Sequence, residues 1–290
     1  MKDKKIIASG KKIITFLLFM LLIPLSLNAA KDKIVFGLTG TVYKGDLKIF
    51  DKWKKYLENK LNIPVELKFS RTYSEMISMI NLGEVDIAYV CNTTYVQLKK
   101  QKSAKLLSIP VSNGVEVYYS YIISQKVSPY KNLLDFKDKI FAFTDPGSNS
   151  GSVAPTYELL KKGYKTKDYF RKTIYTYEHG ESIKAVLDEF VDGASVDSLV
   201  YEQFIKRHPI EAKKLRIVER LGPFTMSPIV ANENLSSKIF SEIQKIFIFM
   251  DKEEEGSKIL KALSLDRLNI PENKSYADIE KIVNFIDSYE

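Results

Sequence analysis

Twice along this chain, apolar strand-like runs alternate with segments of helical spacing, and no low-complexity linker separates the two series. In the first, residues 33–39 read as a buried strand ending at Gly40. Leu47, Phe50, Trp53, Leu57 and Leu61 follow near the helical period, which puts Trp53 in a core. Residues 64–69 alternate as a strand, 74–82 present Met76, Ile77 and Ile80 on one helical face, 85–90 form a third strand and 94–100 a helix. The second series runs through strand 140–144, helix 153–162 stopped by Gly163, strand 173–177, helix 182–190, a strand near 194–196, helix 199–207 and strand 215–220. Such alternation predicts mainly parallel α/β sheets. Two long β-rich segments, 115–124 and 221–231, are the expected double crossover between two lobes. Lobe 1 is then 30–117 with 225–290, lobe 2 is 118–224, and a hinged cleft lies between them. A helix over 235–251, a solvated connection over 251–256 and a last helix over 276–288 complete the expectation.

The N-terminus is separate. Lys2, Lys4, Lys5, Lys11 and Lys12 precede an apolar run from residue 13 to 27, and Leu27, Asn28, Ala29 and Ala30 offer small residues for cleavage. Residues 1–29 therefore read as a secretory signal peptide, with a retained anchor as the alternative. The formal net charge is +8, and the leader carries five lysines against one aspartate, so about half of the positive charge leaves with it. No cluster of basic and aromatic residues follows, which argues against nucleic-acid binding. Cys91 is the only cysteine, so no internal disulfide forms; it lies too far from the leader to carry an N-terminal lipid, and it reads as a packed thiol. The destination is a soluble extracytoplasmic compartment, most simply a periplasm.

Chemistry concentrates in Asp145-Pro146-Gly147-Ser148-Asn149-Ser150-Gly151-Ser152, between an apolar strand and a helix. Backbone N–H groups, the positive end of a helix dipole, serine hydroxyls and an asparagine amide make an anion site without cations. A turn whose Ser and Asn only cap the helix accounts for the same residues. His179 stands in a loop between a strand and a helix, where a two-lobed α/β protein opens its cleft; a surface histidine beside two glutamates is the alternative. Tyr73, where strand passes into helix, and Tyr118, in the first crossover, can each donate one phenolic hydrogen bond there. His208, before Pro209, reads as structural, and Arg71 as a solvent-exposed cation. Two histidines and one cysteine offer no metal-ligand spacing, and no cofactor motif, P-loop or Gly-x-Ser-x-Gly is present.

In this order, Tyr73-Ser74-Glu75-Met76-Ile77, Gly83-Glu84-Val85-Asp86-Ile87-Ala88-Tyr89, Ser128-Pro129, the 145–151 turn with Pro155, Tyr169-Phe170 and His179 resemble the phosphonate/phosphite-type (PhnD-like) solute-binding proteins of bacterial ABC importers. The resemblance runs from Ile34 to about Leu265. It implies the type II periplasmic binding fold, two α/β lobes joined by a two-strand hinge and closing on a phosphorus oxyanion. The family's Ser-Thr-Ser cradle falls on Ser148, Asn149 and Ser150, its ligand tyrosines on Tyr73 and Tyr118, and its ligand histidine on His179. Asn149 departs from the family threonine. The two carboxylates that hold a ligand ammonium in aminoalkylphosphonate binders fall near Leu199 and Ser227, with Asp197 and Glu202 close to the first. A ligand without an amine is therefore expected: phosphite, phosphate or a simple alkylphosphonate.

The function expected is a monomeric transport receptor that delivers its ligand to an inner-membrane ABC permease. A ligand-sensing input to a membrane histidine kinase is the alternative from another class, to be separated by neighbouring genes. A periplasmic hydrolase using Ser150 or Ser152 with His179 is the third.

Overall fold

The computed structural model describes residues 31–271 and 276–289. The expected leader, 1–29, lies outside them. The strands in chain order are β1 (Ile34–Leu38), β2 (Val65–Phe69), β3 (Ile87–Tyr89), β4 (Ala104–Val111), β5 (Val117–Gln125), β6 (Ile140–Phe143), β7 (Lys172–Tyr175), β8 (Gly193–Asp197), β9 (Leu215–Thr225), β10 (Ile229–Asn232) and β11 (Arg267–Asn269). They make a six-stranded sheet, β11-β4-β10-β3-β1-β2, and a five-stranded one, β7-β6-β8-β5-β9.

Both sheets are mixed rather than mainly parallel. β1, β2 and β3 are mutually parallel, as are β7, β6 and β8, but β10 runs against β3 and β4, and β5 against β8 and β9. Residues 112–116 and 226–228 carry the chain from one sheet to the other, and the strands they lead into, β5 and β10, are the ones that run antiparallel to their neighbours.

The central strands β1, β8 and β10 are buried along their whole length, which is why they read as unbroken apolar or small-residue runs. One face of the larger sheet is covered by helices Leu47–Leu61, Ser237–Phe249 and Glu254–Ala262. There Trp53 is fully buried, stacked on Phe50 and meeting Phe36 and Phe247 edge-on at 5.6 and 5.5 Å. The helix Glu254–Ala262 occupies much of what reads in sequence as a polar connection. Its acidic first turn is solvated, while Ile259 and Leu260 enter the core. The other face holds helices Tyr73–Asn81, Asn92–Lys100 and Ala277–Asp287.

The same device starts both parallel series. Asp86 Oδ2 accepts from the Val35 N–H at 2.8 Å, and Asp192 Oδ2 accepts from the Ile140 N–H at 2.8 Å. Each aspartate leads a central strand and pins the start of the strand beside it, so residues 83–88 and 190–195, each a helix end leading into such a strand, are built alike. No helix among the described residues is long and apolar enough to cross a membrane.

Candidate ligand site

The segment after β6 is not a simple helix cap. Ser148 precedes a single wide turn, Asn149–Val153, with π-type hydrogen bonding, and the α-helix proper is Ala154–Lys161. The Ser148 carbonyl accepts from the N–H groups of Ser152 and Val153, both at 2.9 Å, and Ser148 Oγ accepts from the Gly151 N–H at 3.0 Å. Wide turns of this kind concentrate at functional positions. This one is fixed from below. The Ser150 carbonyl accepts from Ser120 Oγ at 2.7 Å and Ser195 Oγ at 2.6 Å, and the Gly151 carbonyl accepts from the Thr144 N–H at 3.1 Å. A side chain at Gly151 would stand 2.5 Å from Thr144 Cβ, so only glycine fits. Ser148, Asn149 and Ser150 are all buried.

His179 is the first residue of the helix His179–Leu187, not a loop residue before it. Tyr177, in the left-handed region at φ 61°, makes the turn from β7 into that helix, and Glu189, at φ 59°, follows its end, which moves the helix three residues from its expected place. The Asp197 N–H donates to His179 Nδ1 at 3.1 Å, and Thr144 Oγ1 lies 3.0 Å from the same atom. Nδ1 is thus an acceptor and the ring proton sits on Nε2. Burial lowers the His179 pKa to about 3, so the ring is a neutral Nε2–H donor at every physiological pH.

Tyr73 begins the helix Tyr73–Asn81 in the larger sheet's layer, yet its N–H donates to Asp145 Oδ2 of the other series at 3.1 Å. Its hydroxyl accepts from Thr41 Oγ1 at 3.2 Å, which leaves the phenolic proton for a further acceptor; Ser148 lies within reach. Tyr118 behaves differently from expectation. Its hydroxyl donates to Asn92 Oδ1 at 3.3 Å and accepts from Asn149 Nδ2 at 3.0 Å, so its one proton is committed within the protein. Burial holds both phenols well above their ordinary pKa.

Asp197 caps the helix Ser198–Arg207, accepting from the Leu199 and Val200 N–H groups at 2.8 and 3.3 Å, and burial raises its carboxyl to about 7. Its charge is felt at Tyr89, Cys91 and Tyr118, which places it beside the cluster. Glu202, by contrast, accepts from Tyr121. Ser227 is buried in the second crossing, and its Oγ has no partner among the described residues. Leu199 lines a small cavity of about 20 Å³ with Tyr89, Val200 and Gln203, whose one carboxylate, Asp46, is paired with Arg207.

Sequence reasoning missed Cys91 and Asn92. Cys91 Sγ accepts from the Asn149 N–H at 3.2 Å and donates to Asn92 Oδ1 at 3.3 Å, so the thiol is wired to the turn rather than idle. A lone cysteine carries no local signal for such a role. Thr93 Oγ1 also reaches across to the Gly147 carbonyl. Gly40 marks another close approach, since a Cβ there would stand 2.7 Å from the Tyr177 carbonyl.

Two mixed α/β layers, crossed twice by the chain and meeting over a buried set of neutral donors, make the type II periplasmic binding fold. The family model "ABC transporter, phosphonate, periplasmic substrate-binding protein" matches residues 36–276, and the chain belongs to that family. It is 28% identical over 269 residues to the phosphonates-binding periplasmic protein of Escherichia coli K12, covering 90% of this chain and 79% of that one. It is 25% identical over 215 residues to the phosphate-import protein PhnD of Mycolicibacterium smegmatis, covering 70% and 67% of the two chains. Among solved structures, PhnD1 of Prochlorococcus marinus in complex with methylphosphonate superposes with a TM-score of 0.79 at 20% identity, over 88% of this chain and 98% of that one.

Proposed function

We propose that this chain is the extracytoplasmic receptor of an ABC importer, and that it closes on a small phosphorus oxyanion such as phosphite, phosphate or an alkylphosphonate. The closing bodies are residues 30–117 with 225–290 and residues 118–224, a division supported by the change of sheet at 112–116 and 226–228. The observation that carries the reading is the braced turn Ser148–Ser150, joined through Thr144 to a histidine kept neutral with its proton on Nε2. Hydrogen bonds from such donors to an ionised group contribute roughly 1.5–3 kcal/mol each, enough to hold a phosphorus oxyanion without a lysine or arginine. Tyr73 adds a phenolic hydroxyl beside Ser148. Tyr118 acts through Asn149, and Asp197 and Ser227 border the site.

The ligand lacks an amine. Leu199 and Ser227 offer no carboxylate, and Asp197 is one acid already engaged with two backbone N–H groups. The receptor binds without turnover: a triad carboxylate would accept a proton from Nδ1, whereas His179 Nδ1 itself accepts from a backbone N–H. Residues 1–29 direct export to the periplasm, and the receptor works as a monomer that docks on an inner-membrane permease. Titration calorimetry across phosphate, phosphite, methylphosphonate and 2-aminoethylphosphonate tests this. The amine-free ligands bind more tightly; 2-aminoethylphosphonate binding far tighter than the others contradicts the ligand class.

A further inference from the structure

The orientation of the Asn149 amide follows from its neighbours. Asn92 Nδ2 donates to the Thr225 carbonyl at 3.1 Å, and Asn92 Oδ1 accepts from the Thr93 N–H at 3.0 Å, so the Asn92 amide has one possible sense. Tyr118 must then donate to Asn92 Oδ1, which leaves the Tyr118 oxygen as an acceptor. The Asn149 atom 3.0 Å from it is therefore Nδ2. The Asn149 N–H meanwhile donates to Cys91 Sγ, which closes a ring of hydrogen bonds through Cys91, Asn92 and Tyr118. Asn149 thus spends its backbone N–H and one of its two Nδ2 N–H groups within the protein. Its Oδ1, fully buried, receives no hydrogen bond from any described residue.

A buried acceptor in a cradle otherwise made of donors repels a fully ionised oxyanion and favours one that carries a proton. We propose that Asn149 makes this site select the protonated, P–OH form of its ligand, with the P–OH donating to Asn149 Oδ1. The inference rests on the oxyanion reading and deepens it. It distinguishes a phosphonate or phosphate from a sulfonate, which has the same shape and a single negative charge but no proton to give.

The groups around Asn149 allow a clean test. Tyr73, Tyr118 and Cys91 stay protonated because burial raises all three, and His179 stays neutral. Asp145 is engaged by the Tyr73 and Gly147 N–H groups. On the helix Ala277–Asp287, which packs against the turn, Glu280 pairs with Lys99 and Asp278 with Lys281. Asp197 titrates near neutrality, at about 7. Its effect falls on any monoanion alike, so it cancels in a ratio of affinities.

The measurement is the ratio of methylphosphonate to methanesulfonate affinity for the intact protein, by calorimetry at half-unit steps from pH 6 to pH 8.5. The expected ratio is at least a hundredfold at pH 6 and falls with rising pH, approaching tenfold per unit once the phosphonate has lost its second proton. Near pH 8.5, binding takes up close to one proton. In Asn149→Thr, whose hydroxyl can turn to donate, the slope flattens or reverses. A wild-type ratio that rises with pH overturns this inference and leaves the oxyanion reading intact. An unchanged slope in Asn149→Thr moves the acceptor elsewhere and overturns the assignment. No methylphosphonate binding at any pH overturns both readings.

Discussion

The two halves of the molecule meet at two seams built from opposite chemistry. At the candidate site, Cys91, Asn92, Tyr118 and Asn149 interlock through neutral groups, and all four are buried, as are Tyr73 and His179. At the other seam, Arg207 of the helix Ser198–Arg207 pairs with the buried carboxylate of Asp46 and donates to the Gly45 carbonyl at 3.2 Å. Beside it Tyr43 bonds His208 Nε2 at 3.0 Å, and the Arg207 guanidinium lies over the Tyr43 ring. The division has a physical logic. A cation in the cradle would pair with the ligand's charge at any geometry, whereas directed neutral donors read where oxygens and protons lie. The ion pair, kept away from the cradle, holds the two halves together without competing for the anion.

Removing one charge from the second seam gives the largest effect expected. Arg207→Ala leaves Asp46 buried and unpaired, which costs about 2–4 kcal/mol, somewhat less than a fully buried pair because Arg207 is partly solvated. Thermal unfolding reads this as a clear drop in Tm, and the double variant Asp46→Leu/Arg207→Met recovers most of it. Recovery by neither variant would show that the ion pair is not what holds the seam.

Acid acts on the neutral seam. A histidine whose pKa is lowered by folding adds stability above its unfolded value of about 6.5, and that stability is lost as pH falls toward the folded value of about 3. Between pH 7 and pH 5 the ligand-free protein therefore loses about 2 kcal/mol through His179. His179→Gln removes that part of the acid sensitivity in denaturant titrations at the two pH values; an unchanged pH dependence contradicts the neutral, buried ring. Asp197 works in the opposite sense. Its carboxyl, raised to about 7, favours folding at low pH, and this contribution fades as pH climbs from about 4 to 7. Asp197→Asn accordingly stabilises the ligand-free protein at pH 8 relative to wild type, and leaves little difference at pH 4.

For ligand affinity, Ser150→Ala and His179→Ala each weaken binding at least tenfold, about 1.4 kcal/mol. Unchanged affinity in both removes the proposed site. The smallest effect belongs to Tyr43→Phe, which deletes the bond to His208 for roughly 1 kcal/mol or less of stability and keeps ligand affinity within about twofold. A tenfold loss there would mean that the two seams are not separate.

Much of this was legible in the chain. Trp53 announced a core by helical spacing and is fully buried. The antiparallel entry of β5 and β10 was hidden because an apolar pattern marks a strand without giving its direction relative to its neighbours. The helix Glu254–Ala262 was masked by its acidic first turn, and β11 by being three residues long. At the site, residue types could suggest Ser148, Ser150, His179 and Tyr73. They could not show that Tyr118 spends its proton on Asn92, that Cys91 receives the Asn149 N–H, or that His179 opens a helix after a left-handed Tyr177. Those facts depend on which loops fold against one another.

A crystal structure of the protein with methylphosphonate tests the central claim most directly. The account predicts phosphonate oxygens within hydrogen-bond distance of the Ser148–Ser150 turn and of His179 Nε2, with no lysine or arginine in contact. Methylphosphonate held instead by Arg71, in the cavity of about 250 Å³ that it lines with Ser70 and Tyr177, would contradict it.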